Sequence, residues 1–535
     1  MKKNIYIYDT TLRDGSQMEG INFSISDKLK ISKKLNDFGI DFIEGGWPGS
    51  NPKDEEYFKK IKKLKLKSEI VAFSSTHLIG KNPTQDKLIQ KVLRAETKWV
   101  CVFGKTWDLH TQKILRISDQ EALNLIQNTI QFFIKNKRKV IFDAEHFFDG
   151  FKSNPKFALK CLKVASESGV ENLTLCDTNG GSLINEVKKI IREVKKEIKT
   201  PLGIHTHNDC GLAVANSLTA VEEGVELIQG TFNGIGERSG NANLGVILAN
   251  IQLKENQKII PQKNLEKLTQ LSNYIFEIAN LPPRKEQPFV GINAFTHKGG
   301  IHASAVRKIP RSYQHIDPKL VGNISRITIS ELSGKSNVVE VAKRLGFYLQ
   351  TKSSRTREIL QKVKIMESEG FYFETAEASF ALLILRAQKN YRAPFEVLDY
   401  FVMNLKNGEA KATVKLKVGN EIREYAASGN GPVNALDIAT RRAVEKFFPQ
   451  IQNVELKDYK VRILDSDAAT AAKTRVLIES SNGAENWSTV GCSENIIEAS
   501  WQALTDSLEY AIWRASRINQ SNNGGRLVSL QVIPN

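Results

Sequence analysis

From its first residues to about residue 250, the sequence alternates between short apolar runs typical of β-strands and amphipathic segments typical of α-helices. Eight strand-like runs follow one another at intervals of roughly thirty residues, the length of a β-α unit. The runs end at Asp9, Gly45, Ser74, Phe103, Glu145, Asp177, His207 and Asn233. Repeated β-α units favour a parallel sheet, and eight of them favour a closed (β/α)8 TIM barrel in an α/β protein. An open doubly wound sheet is the alternative, but no G-x-G-x-x-G motif follows the first run.

Polar residues recur where these strand-like runs end, and barrel enzymes place their chemistry at the carboxyl ends of the strands. The residues found there are Arg13, Asp14, Glu44, Glu145, Asp177, Thr178, His205 and His207, with Asn233 and the loop after it. Each has an alternative interpretation as a turn or a helix cap. Asp14 in particular could cap the helix whose pattern starts near Ser26. The shared position of these residues favours an active site.

Two histidines on one predicted strand indicate a metal site. Side chains two apart on a strand project from the same face, so His205 and His207 can present two imidazole nitrogens to one point. A buried, hydrogen-bonded pair is the commoner outcome for two such histidines. A carboxylate at the end of another strand strengthens the case for a metal, and Asp14 supplies one beside the positive charge of Arg13. Asn241, in the glycine-rich loop after the eighth run, offers a neutral oxygen.

Length and composition bound the class of protein. A chain of 535 residues is too long for one core, so two or three domains are expected. Hydrophobic residues make up 41% and charged residues 25%, as in soluble globular proteins, and no apolar run approaches the ~18 residues of a membrane span. The five cysteines are scattered without C-x-x-C spacing, and no signal-peptide core follows Lys2 and Lys3. These features predict a cytoplasmic protein with reduced thiols.

The formal net charge of +17 raises the question of a nucleic-acid partner. Much of the charge lies in lysine-rich runs such as 59–67 and 188–199, in which apolar residues recur at helical spacing. This pattern is typical of the solvated face of an amphipathic helix. No interleaved aromatic residues and no DNA-binding or RNA-binding signature accompany it. We therefore expect no nucleic-acid partner, although a basic surface would attract anionic small molecules.

Two further regions follow the predicted barrel domain, which occupies residues 1–275. Residues 276–390 have the pattern of a helical linker region with subdomains, and they include His302 in a glycine-flanked segment. The polar run 351–365 within them is a hinge candidate. Residues 391–535 contain an internal repeat of two β-β-β-α units, which predicts a separate α+β domain. Few catalytic residue types cluster there, so we expect this domain to serve regulation or assembly.

Two long motifs connect these patterns to a known family. Residues 9–17 read DTTLRDGSQ and residues 205–217 read HTHNDCGLAVANS. Both resemble the signatures of the isopropylmalate synthase/homocitrate synthase family, whose members are metal-dependent barrel enzymes that condense acetyl-CoA with a 2-oxo acid. The resemblance covers nearly the whole chain, because the C-terminal repeat is similar to the allosteric domain of that family. Residues 44–54, EGGWPGSNPKD, further resemble the branch whose 2-oxo acid is pyruvate and whose product is citramalate.

The resemblance implies a divalent cation, one of Mn²⁺, Mg²⁺, Co²⁺ or Zn²⁺. The residues that match the ligands of the family are Asp14, His205, His207 and Asn241. Two positions depart from the pattern of many relatives. Ser16 stands where many carry Glu, and Gly180-Gly181 follows Asn179 where isopropylmalate synthases differ. Both departures bear on the choice of substrate and not on the class of reaction.

The resemblance also implies catalytic roles. Arg13 would stabilise the charge that develops on the keto oxygen of pyruvate, with Glu145 as its partner. Thr178 would hydrogen-bond the pyruvate carboxylate. His302 would remove a proton from the methyl group of acetyl-CoA, with Tyr313 near the thioester. Water would then release CoA and citramalate.

The resemblance further implies partners and regulation. In this family the segment around His302 crosses into the neighbouring barrel, so a homodimer is expected. A citramalate-forming enzyme feeds isoleucine synthesis, which makes isoleucine the expected effector. The glycine-containing segments 429–431 and 491–493 precede predicted helices, whose N–H groups could bind the carboxylate of an amino acid. The alternative is that these are ordinary turns and that the domain only holds the dimer together.

Three alternatives for the function stay open at the level of the sequence. An isopropylmalate or homocitrate synthase would differ only in the 2-oxo acid. A metal-dependent lyase or aldolase on the same barrel would cleave a carbon–carbon bond, but such lyases generally lack the C-terminal repeat. The third alternative, a nucleic-acid-binding protein, is supported by the net charge alone.

Overall fold

The computed structural model describes residues 5–298, 300–328, 334–406, 408–464 and 471–522. The chain divides into two compact units, Met1–Phe295 with Ile316–Ile324, and Thr296–His315 with Ser325–Asn535. The ends of the predicted first and last domains, residues 1–4 and 523–535, lie outside the described residues. The first unit thus extends past residue 275, the predicted end of the barrel domain, and takes in a short segment from the predicted linker.

The first unit contains a closed barrel of eight parallel strands in chain order, as predicted. The strands are β1 Tyr6–Asp9, β2 Phe42–Gly46, β3 Glu69–Ser75, β4 Trp99–Lys105, β5 Lys139–Glu145, β6 Asn172–Asp177, β7 Leu202–Thr206 and β8 Leu227–Gly230. The barrel closes where β1 pairs with β8 over four residues, from Tyr6 opposite Leu227 to Asp9 opposite Gly230. All carboxyl ends therefore meet at one end of the barrel, which brings distant parts of the sequence together.

Helices alternate with the strands and cover the barrel, because each connects two parallel neighbours. They are α1 Ile25–Phe38, α2 Pro52–Ile61, α3 Lys87–Arg94, α4 Asp119–Lys135, α5 Phe147–Ser153, α6 Pro155–Glu167, α7 Ile184–Glu197 and α8 Ala213–Glu222, followed by α9 Leu244–Leu253, α10 Gln262–Leu265 and α11 Leu268–Ile278. The lysine-rich α7 buries four apolar residues, Val187, Ile190, Ile191 and Val194. Its lysines thus form the solvated face of an amphipathic helix, as the sequence pattern predicts.

The cap of α1 decides one of the alternatives for Asp14. The N-cap of this helix is Ser24, whose hydroxyl accepts from the backbone N–H of Asp27 in a capping box. Asp14 precedes only a short 3-10 turn, and its side chain makes no capping hydrogen bond there. The interpretation of Asp14 as the cap of α1 is therefore wrong, and its carboxylate is left for another role.

The second unit begins with short elements. They are β9 Thr296–His297, α12 Gly300–Lys308, β10 Arg326–Ile327, α13 Lys335–Arg344, α14 Ser354–Ser368 and α15 Glu377–Arg386. The polar run 351–365, predicted as a hinge, lies largely within α14. Ile359 and Val363, four residues apart, are buried on one face of this helix, and Ser353 caps it. Helical packing of these two side chains therefore overrides the polar composition of the run.

The rest of the second unit confirms the internal repeat. The first β-β-β-α unit comprises β11 Glu396–Asn404, β12 Ala410–Val418, β13 Glu421–Gly429 and α16 Pro432–Val444. The second comprises β14 Glu455–Ile463, β15 Thr474–Ser481, β16 Asn486–Ser493 and α17 Ile496–Asn522. Each unit forms a three-stranded antiparallel sheet with one register shift in its first strand, at Val397/Asp399 and at Leu456/Asp458. The equivalent shifts show that the two units share their local structure.

Buried and exposed side chains alternate along the strands of this domain, and the buried ones form its hydrophobic core. Ala410, Ala412, Val414, Leu416 and Val418 of β12 are buried, and they pack in one cluster with residues of α16 and α17. Alternate side chains of a strand face one side of the sheet, so the helices cover a single face of β12. Among the described residues, no helix combines the length and the apolar character needed to cross a membrane.

Candidate active site at the carboxyl ends of the barrel strands

A small cavity of about 220 Å³ opens among the carboxyl ends of the barrel strands. Six of the predicted site residues line it: Arg13, Asp14, Glu145, Thr178, His205 and His207. A larger cavity of about 660 Å³ lies at the opposite end of the barrel, lined by the starts of the strands and by none of the predicted residues. Because barrel chemistry lies at the carboxyl ends, the smaller cavity is the candidate active site.

Asp14, His205 and His207 form the one group of three or more His, Cys, Asp and Glu side chains in the described part of the chain whose ligand atoms lie within 4.8 Å of one another. The Nε2 atoms of the two histidines are 3.2 Å apart. Oδ2 of Asp14 lies 3.5 Å from Nε2 of His205 and 4.0 Å from Nε2 of His207. All three residues are buried. Two nitrogens and an oxygen thus converge on one point, as the strand pattern predicts.

The orientation of His205 is set from behind by Gln229. The side-chain amide of Gln229 donates to Oδ1 of Asp143 at 2.7 Å and to Oγ1 of Thr174 at 3.2 Å, so its oxygen faces Nδ1 of His205, 3.0 Å away. Nδ1 must therefore carry the proton, and Nε2 keeps its lone pair toward Asp14. A metal-ligating histidine is commonly held this way through its second nitrogen.

Asn241 completes the cluster on the other side. Its amide nitrogen donates to Oδ1 of Asp14 at 3.0 Å, and a backbone bridge joins it to His207. Its side-chain oxygen is buried and has no hydrogen-bond partner among the described residues. A buried acceptor without a donor is costly, and a cation would satisfy it. Gly236 leaves the necessary room, because a Cβ there would lie 2.1 Å from the amide nitrogen of Asn241.

The protonation states also suit a divalent cation. Burial opposes the charge of Asp14, but Arg13 and the two imidazoles outweigh it and lower the pKa of the carboxyl to about 2. Burial, and then the neighbouring His207, lowers the pKa of His205 to about 3. Burial likewise lowers the pKa of His207. A carboxylate and two neutral imidazoles, the forms that bind a metal, are therefore present at neutral pH.

Arg13 is fixed in this cavity by two carboxylates. Its Nε donates to Oε2 of Glu44 at 2.6 Å and one terminal nitrogen donates to Oδ2 of Asp14 at 3.0 Å. Its guanidinium also lies 3.9 Å from the centroid of the Phe73 ring. Burial disfavours the charge of Arg13, but Glu44 and Asp14 outweigh burial and raise its pKa. The side chain is therefore a permanent positive charge held in one place.

The prediction that Glu145 is the partner of Arg13 is wrong. Glu145 ends β5 and pairs instead with Lys105 on the neighbouring β4, at 2.6 Å. Arg13 follows β1, whose neighbours in the barrel are β2 and β8, so Glu44 at the end of β2 is the carboxylate within reach. Glu145 still lines the cavity, and its catalytic role stays a prediction.

Thr178 presents a hydroxyl group to the cavity. Its oxygen accepts a hydrogen bond from the backbone N–H of His146 at 2.8 Å, so its own proton is free to be donated elsewhere. Its backbone carbonyl accepts from Arg238 at 2.7 Å, and Arg238 also pairs with Asp209 through two nitrogens. The loops that follow β6, β7 and β8 are joined through these contacts.

His302 and Tyr313 belong to the second unit. His302 lies on α12 and is exposed, and its ring stacks on that of Tyr313 with centroids 4.2 Å apart. The two residues that the resemblance pairs at the thioester therefore contact each other. Their roles in catalysis stay predictions.

Three features of the site are not predicted from the sequence. Glu44 is predicted only as a polar strand end, although consecutive barrel strands are neighbours and its closeness to Arg13 follows from that. Gln229 is a polar residue in an otherwise apolar strand-like run, which is a signal of a buried hydrogen bond. The aromatic wall, defined here as Trp47, Phe73 and Phe103, cannot be recognised from spacing, because Trp47 follows β2 while Phe73 and Phe103 lie on β3 and β4.

Comparisons with known proteins agree with this geometry. The HMGL-like family model matches residues 4–275, the homocitrate synthase post-HMGL domain-like model residues 289–370, and the LeuA allosteric (dimerisation) domain residues 374–512. The chain is 49% identical to an (R)-citramalate synthase of Geobacter sulfurreducens, over 97% of this chain and 99% of the relative. It is also 49% identical to an (R)-citramalate synthase of Aquifex aeolicus, over 96% of this chain and 99% of the relative.

A relative with another name is more distant. A 2-isopropylmalate synthase of Methanocaldococcus jannaschii is 30% identical over 94% of this chain and 94% of the relative. The similarity to citramalate synthases extends through the barrel, the linker and the C-terminal repeat. The chain therefore belongs to the HMGL-like family of barrel enzymes, in its citramalate synthase branch.

Proposed function

We propose that this protein condenses acetyl-CoA with pyruvate and water to give citramalate and CoA. The observation that carries the proposal is the single small cavity that brings Arg13, Thr178 and the Asp14/His205/His207 cluster against the aromatic wall. The names of the relatives that match nearly the whole chain, (R)-citramalate synthases, support the choice of substrates. The basic net charge of +17 would favour capture of the anionic substrates.

For the condensation, the keto carbonyl of pyruvate must be polarised so that its C2 atom becomes electrophilic. A divalent cation bound by Asp14, His205, His207 and Asn241 would act as a Lewis acid on the keto group of pyruvate. Arg13 then donates a hydrogen bond where negative charge develops on the keto oxygen, and its two carboxylate contacts keep it there before the reaction begins.

The remaining steps concern protons and the thioester. The hydroxyl group of Thr178 donates a hydrogen bond to the carboxylate of pyruvate, and this contact orients the keto group. A base takes a proton from the methyl group of acetyl-CoA, the resulting enolate carbon bonds to C2 of pyruvate, and the keto oxygen takes up a proton. Water then hydrolyses the thioester of citramalyl-CoA to release citramalate and CoA. We assign the base to His302, with Tyr313 beside the thioester, following the family motif.

The aromatic wall supports pyruvate over larger 2-oxo acids. The ring of Trp47 meets Phe73 and Phe103 edge-on, with centroids 5.8 and 5.7 Å apart, and the two phenylalanine rings stack at 5.1 Å. Rings packed against one another cannot easily move apart to admit a branched side chain. Beside these packed rings the methyl group of pyruvate needs less room than the isopropyl group of 2-oxoisovalerate.

The C-terminal domain supports a homodimer. Its strands carry exposed apolar side chains, among them Phe401, Ile422 and Ile463, each at least 60% exposed. Apolar surface of this kind marks interfaces, and two similar β-β-β-α units offer the self-complementary patches of a two-fold dimer. The match to the LeuA allosteric (dimerisation) domain over residues 374–512 agrees with this assignment.

We further propose that isoleucine binds in this domain as an inhibitor. A cavity of about 440 Å³ is lined by Asn430, Gly431 and Asn434 before and within α16, and by Tyr459 and Leu508. A Cβ at Gly431 would meet nothing within 4 Å, so this glycine faces open space. Apolar walls and helix N–H groups suit the side chain and carboxylate of an amino acid.

The second glycine-containing segment, 491–493, does not support a ligand site. A Cβ at Gly491 would lie 1.9 Å from the carbonyl oxygen of Ala499. This glycine allows β16 to pack closely on α17, so we assign the effector to the first segment only. The five cysteines are all unpaired, as in a reducing compartment, and we expect the protein in the cytoplasm.

The experiment that tests the function is release of CoA thiol from acetyl-CoA with and without pyruvate, with the product identified by mass. Citramalate formed at the rate of thiol release supports the proposal. Thiol release with 2-oxoisovalerate but not with pyruvate would support an isopropylmalate synthase. Cleavage of citramalyl-CoA to acetyl-CoA and pyruvate, without net synthesis, would support a lyase.

A further inference from the structure

A β-bulge interrupts β2 at the edge of the candidate active site. Phe42, Ile43 and Glu44 pair in sequence with β3, but the register shifts between Glu44 and Gly46, so Gly45 is an extra residue. Bulges of this kind re-aim the side chains on either side of them. Here the residue before the bulge is Glu44, which holds Arg13, and Trp47 of the aromatic wall lies two residues after it. The bulge therefore affects both the position of Arg13 and the position of the aromatic wall in the cavity.

A buried lysine holds the bulge from behind. Lys28 of α1 is 2% exposed. Its ammonium group donates to the carbonyl oxygen of Gly45 at 3.0 Å and pairs with the carboxylate of Asp54 on α2. Fully buried lysines are rare unless they are paired, so this charge has a specific structural cause. The contact to the Gly45 carbonyl fixes the extra residue of the bulge.

Asp54, the partner of Lys28, also contacts the backbone of Trp47. Its second carboxylate oxygen accepts from the backbone N–H of Trp47 at 2.9 Å and from the side chain of Asn51 at 3.0 Å. Gly46 lies directly over it with a φ of +140°, and a Cβ there would be 2.4 Å from this oxygen. Lys28 and Asp54 together thus bind the backbone at two points, Gly45 and Trp47, on either side of Gly46.

Stability alone is a weak reason for such a pair. Removing two charges from water costs about as much as their attraction returns, and apolar residues of similar volume often serve folding as well. A buried pair is better explained where it fixes a position that packing alone would leave free. We infer that Lys28 and Asp54 are positioning residues, which hold the bulge at Gly45 and so set where Trp47 stands in the wall that selects the 2-oxo acid.

This inference rests on the proposed function, because it names what selects the substrate of that reaction. Trp47 contacts Phe73 and Phe103 only through ring edges, so a small displacement of its backbone changes the space between the rings. One methylene of misfit in an apolar pocket changes kcat/KM by about 10- to 200-fold. A loosened bulge should therefore relax the discrimination between pyruvate and 2-oxobutyrate, which differ by one methylene.

The test is a double-mutant cycle on selectivity. The ratio of kcat/KM for pyruvate to that for 2-oxobutyrate is measured in the wild type, Lys28→Met, Trp47→Ala and the variant with both changes. We expect Lys28→Met to lower the ratio about tenfold in the wild-type background and to change it by less than about twofold when Trp47 is already Ala. An unchanged ratio in Lys28→Met, or an equal change in both backgrounds, would overturn the inference.

Two controls separate positioning from folding. Lys30→Met makes the same substitution at an exposed position of α1 and should leave the ratio unchanged; an equal shift there would also count against the inference. Lys28→Met with Asp54→Asn removes both buried charges, so thermal stability should recover relative to Lys28→Met alone. The ratio should stay relaxed in this double variant, because the Gly45 carbonyl still lacks its donor. If the ratio recovered along with stability, Lys28 would serve only to neutralise the buried charge of Asp54, and the inference that it positions the bulge would be wrong.

Failure of the inference can be told apart from failure of the proposed function. A wild type that prefers another 2-oxo acid refutes the assignment of pyruvate, while the ratios among the Lys28 variants still test the inference. If neither acid is turned over, calorimetric binding of the two acids supplies the same ratio. A wild type that prefers pyruvate, with Lys28 variants that keep this preference, refutes the inference alone.

Discussion

Nε of Arg13 donates a hydrogen bond to Oε2 of Glu44 at 2.6 Å, and Glu44 has no solvent exposure. Charge-assisted hydrogen bonds of this kind are roughly twice as strong as neutral ones. Glu44 also accepts from the hydroxyl groups of Tyr8 and Thr10, so its carboxylate cannot rotate away. Arg13 is therefore already oriented, in contact with both Glu44 and the candidate metal ligand Asp14, as its proposed role at the keto oxygen requires.

Replacing Arg13 with lysine tests this arrangement. Arg13 makes two contacts through separate nitrogens, to Glu44 and to Asp14, which the single nitrogen of lysine cannot reproduce in the same geometry. We expect Arg13→Lys to lower kcat by roughly 10²-fold, the size of a lost oxyanion donor, with the fold and the bound metal retained. Steady-state kinetics and circular dichroism measure these quantities. Near-normal turnover would show that Arg13 does not carry the developing charge.

The proposed metal site can be tested through the loss of bound cation. His207→Ala removes one of the three converging ligand atoms, and we expect the variant to lose both divalent metal and condensation activity. Elemental analysis after dialysis against a weak chelator measures the metal. His315→Ala, at an exposed histidine of the second unit, is the matched control and should keep the wild-type metal content. A full complement of metal in active His207→Ala would remove this residue from the site.

Buried Asp9 predicts a pH dependence of stability. Burial raises the pKa of its carboxyl to about 7, although Thr11 donates two hydrogen bonds to it. Between about 4, the ordinary value, and about 7, the folded chain keeps a proton that the unfolded chain has released. The contribution of Asp9 to the free energy of unfolding is therefore fully present below about pH 4 and is lost as the pH rises through about 7.

The variant Asp9→Asn keeps the size of the side chain and removes its titration. We expect the wild type to lose stability relative to Asp9→Asn as the pH rises from about 4 to about 7, measured as thermal unfolding midpoints of the metal-free protein. A difference between the two proteins that is the same at every pH would contradict the buried, protonated state of Asp9.

If isoleucine binds in the C-terminal cavity as proposed, a variant that fills this cavity should no longer respond to isoleucine. A leucine side chain at Gly431 would enter open space in this cavity, so Gly431→Leu should fold normally and occupy the site. We expect this variant to lose inhibition by isoleucine at subsaturating pyruvate, as should the chain truncated near residue 390. Lys446→Leu, at an exposed position just after α16, is the control. Isoleucine inhibition of the truncated chain equal to that of the full chain would place the effector in the barrel.

Much of this structure follows from sequence periodicity. The eight strands end within a few residues of the predicted positions, because apolar strand cores bounded by polar ends are a strong local signal. Asp14, His205 and His207 could be assigned together because every barrel strand ends at the same face. The internal repeat was equally visible, since both of its units have the same order of strands and helix.

The pattern of polar strand ends does not by itself identify the partners across the barrel; the order of the strands is also needed. Glu145 and Glu44 are both strand-end carboxylates, and only the adjacency of β1 and β2 makes Glu44 the partner of Arg13. The buried contact of Lys28 with Gly45 depends on a one-residue register shift that leaves no mark in the hydrophobic pattern. The hinge predicted for the run 351–365 is wrong for most of the run, because apolar residues at helical spacing, among them Ile359 and Val363, pack it as part of α14.

The most direct test of the account is a competition between two 2-oxo acids for one pool of acetyl-CoA. Pyruvate and 2-oxoisovalerate are supplied together at equal concentration, and the two products, citramalate and 2-isopropylmalate, are quantified by mass. Because the packed rings of the aromatic wall leave little room for a branched side chain, we predict that citramalate exceeds 2-isopropylmalate by at least about 100-fold. An excess of 2-isopropylmalate would contradict the assignment of pyruvate and of Trp47, Phe73 and Phe103 as the wall that selects it.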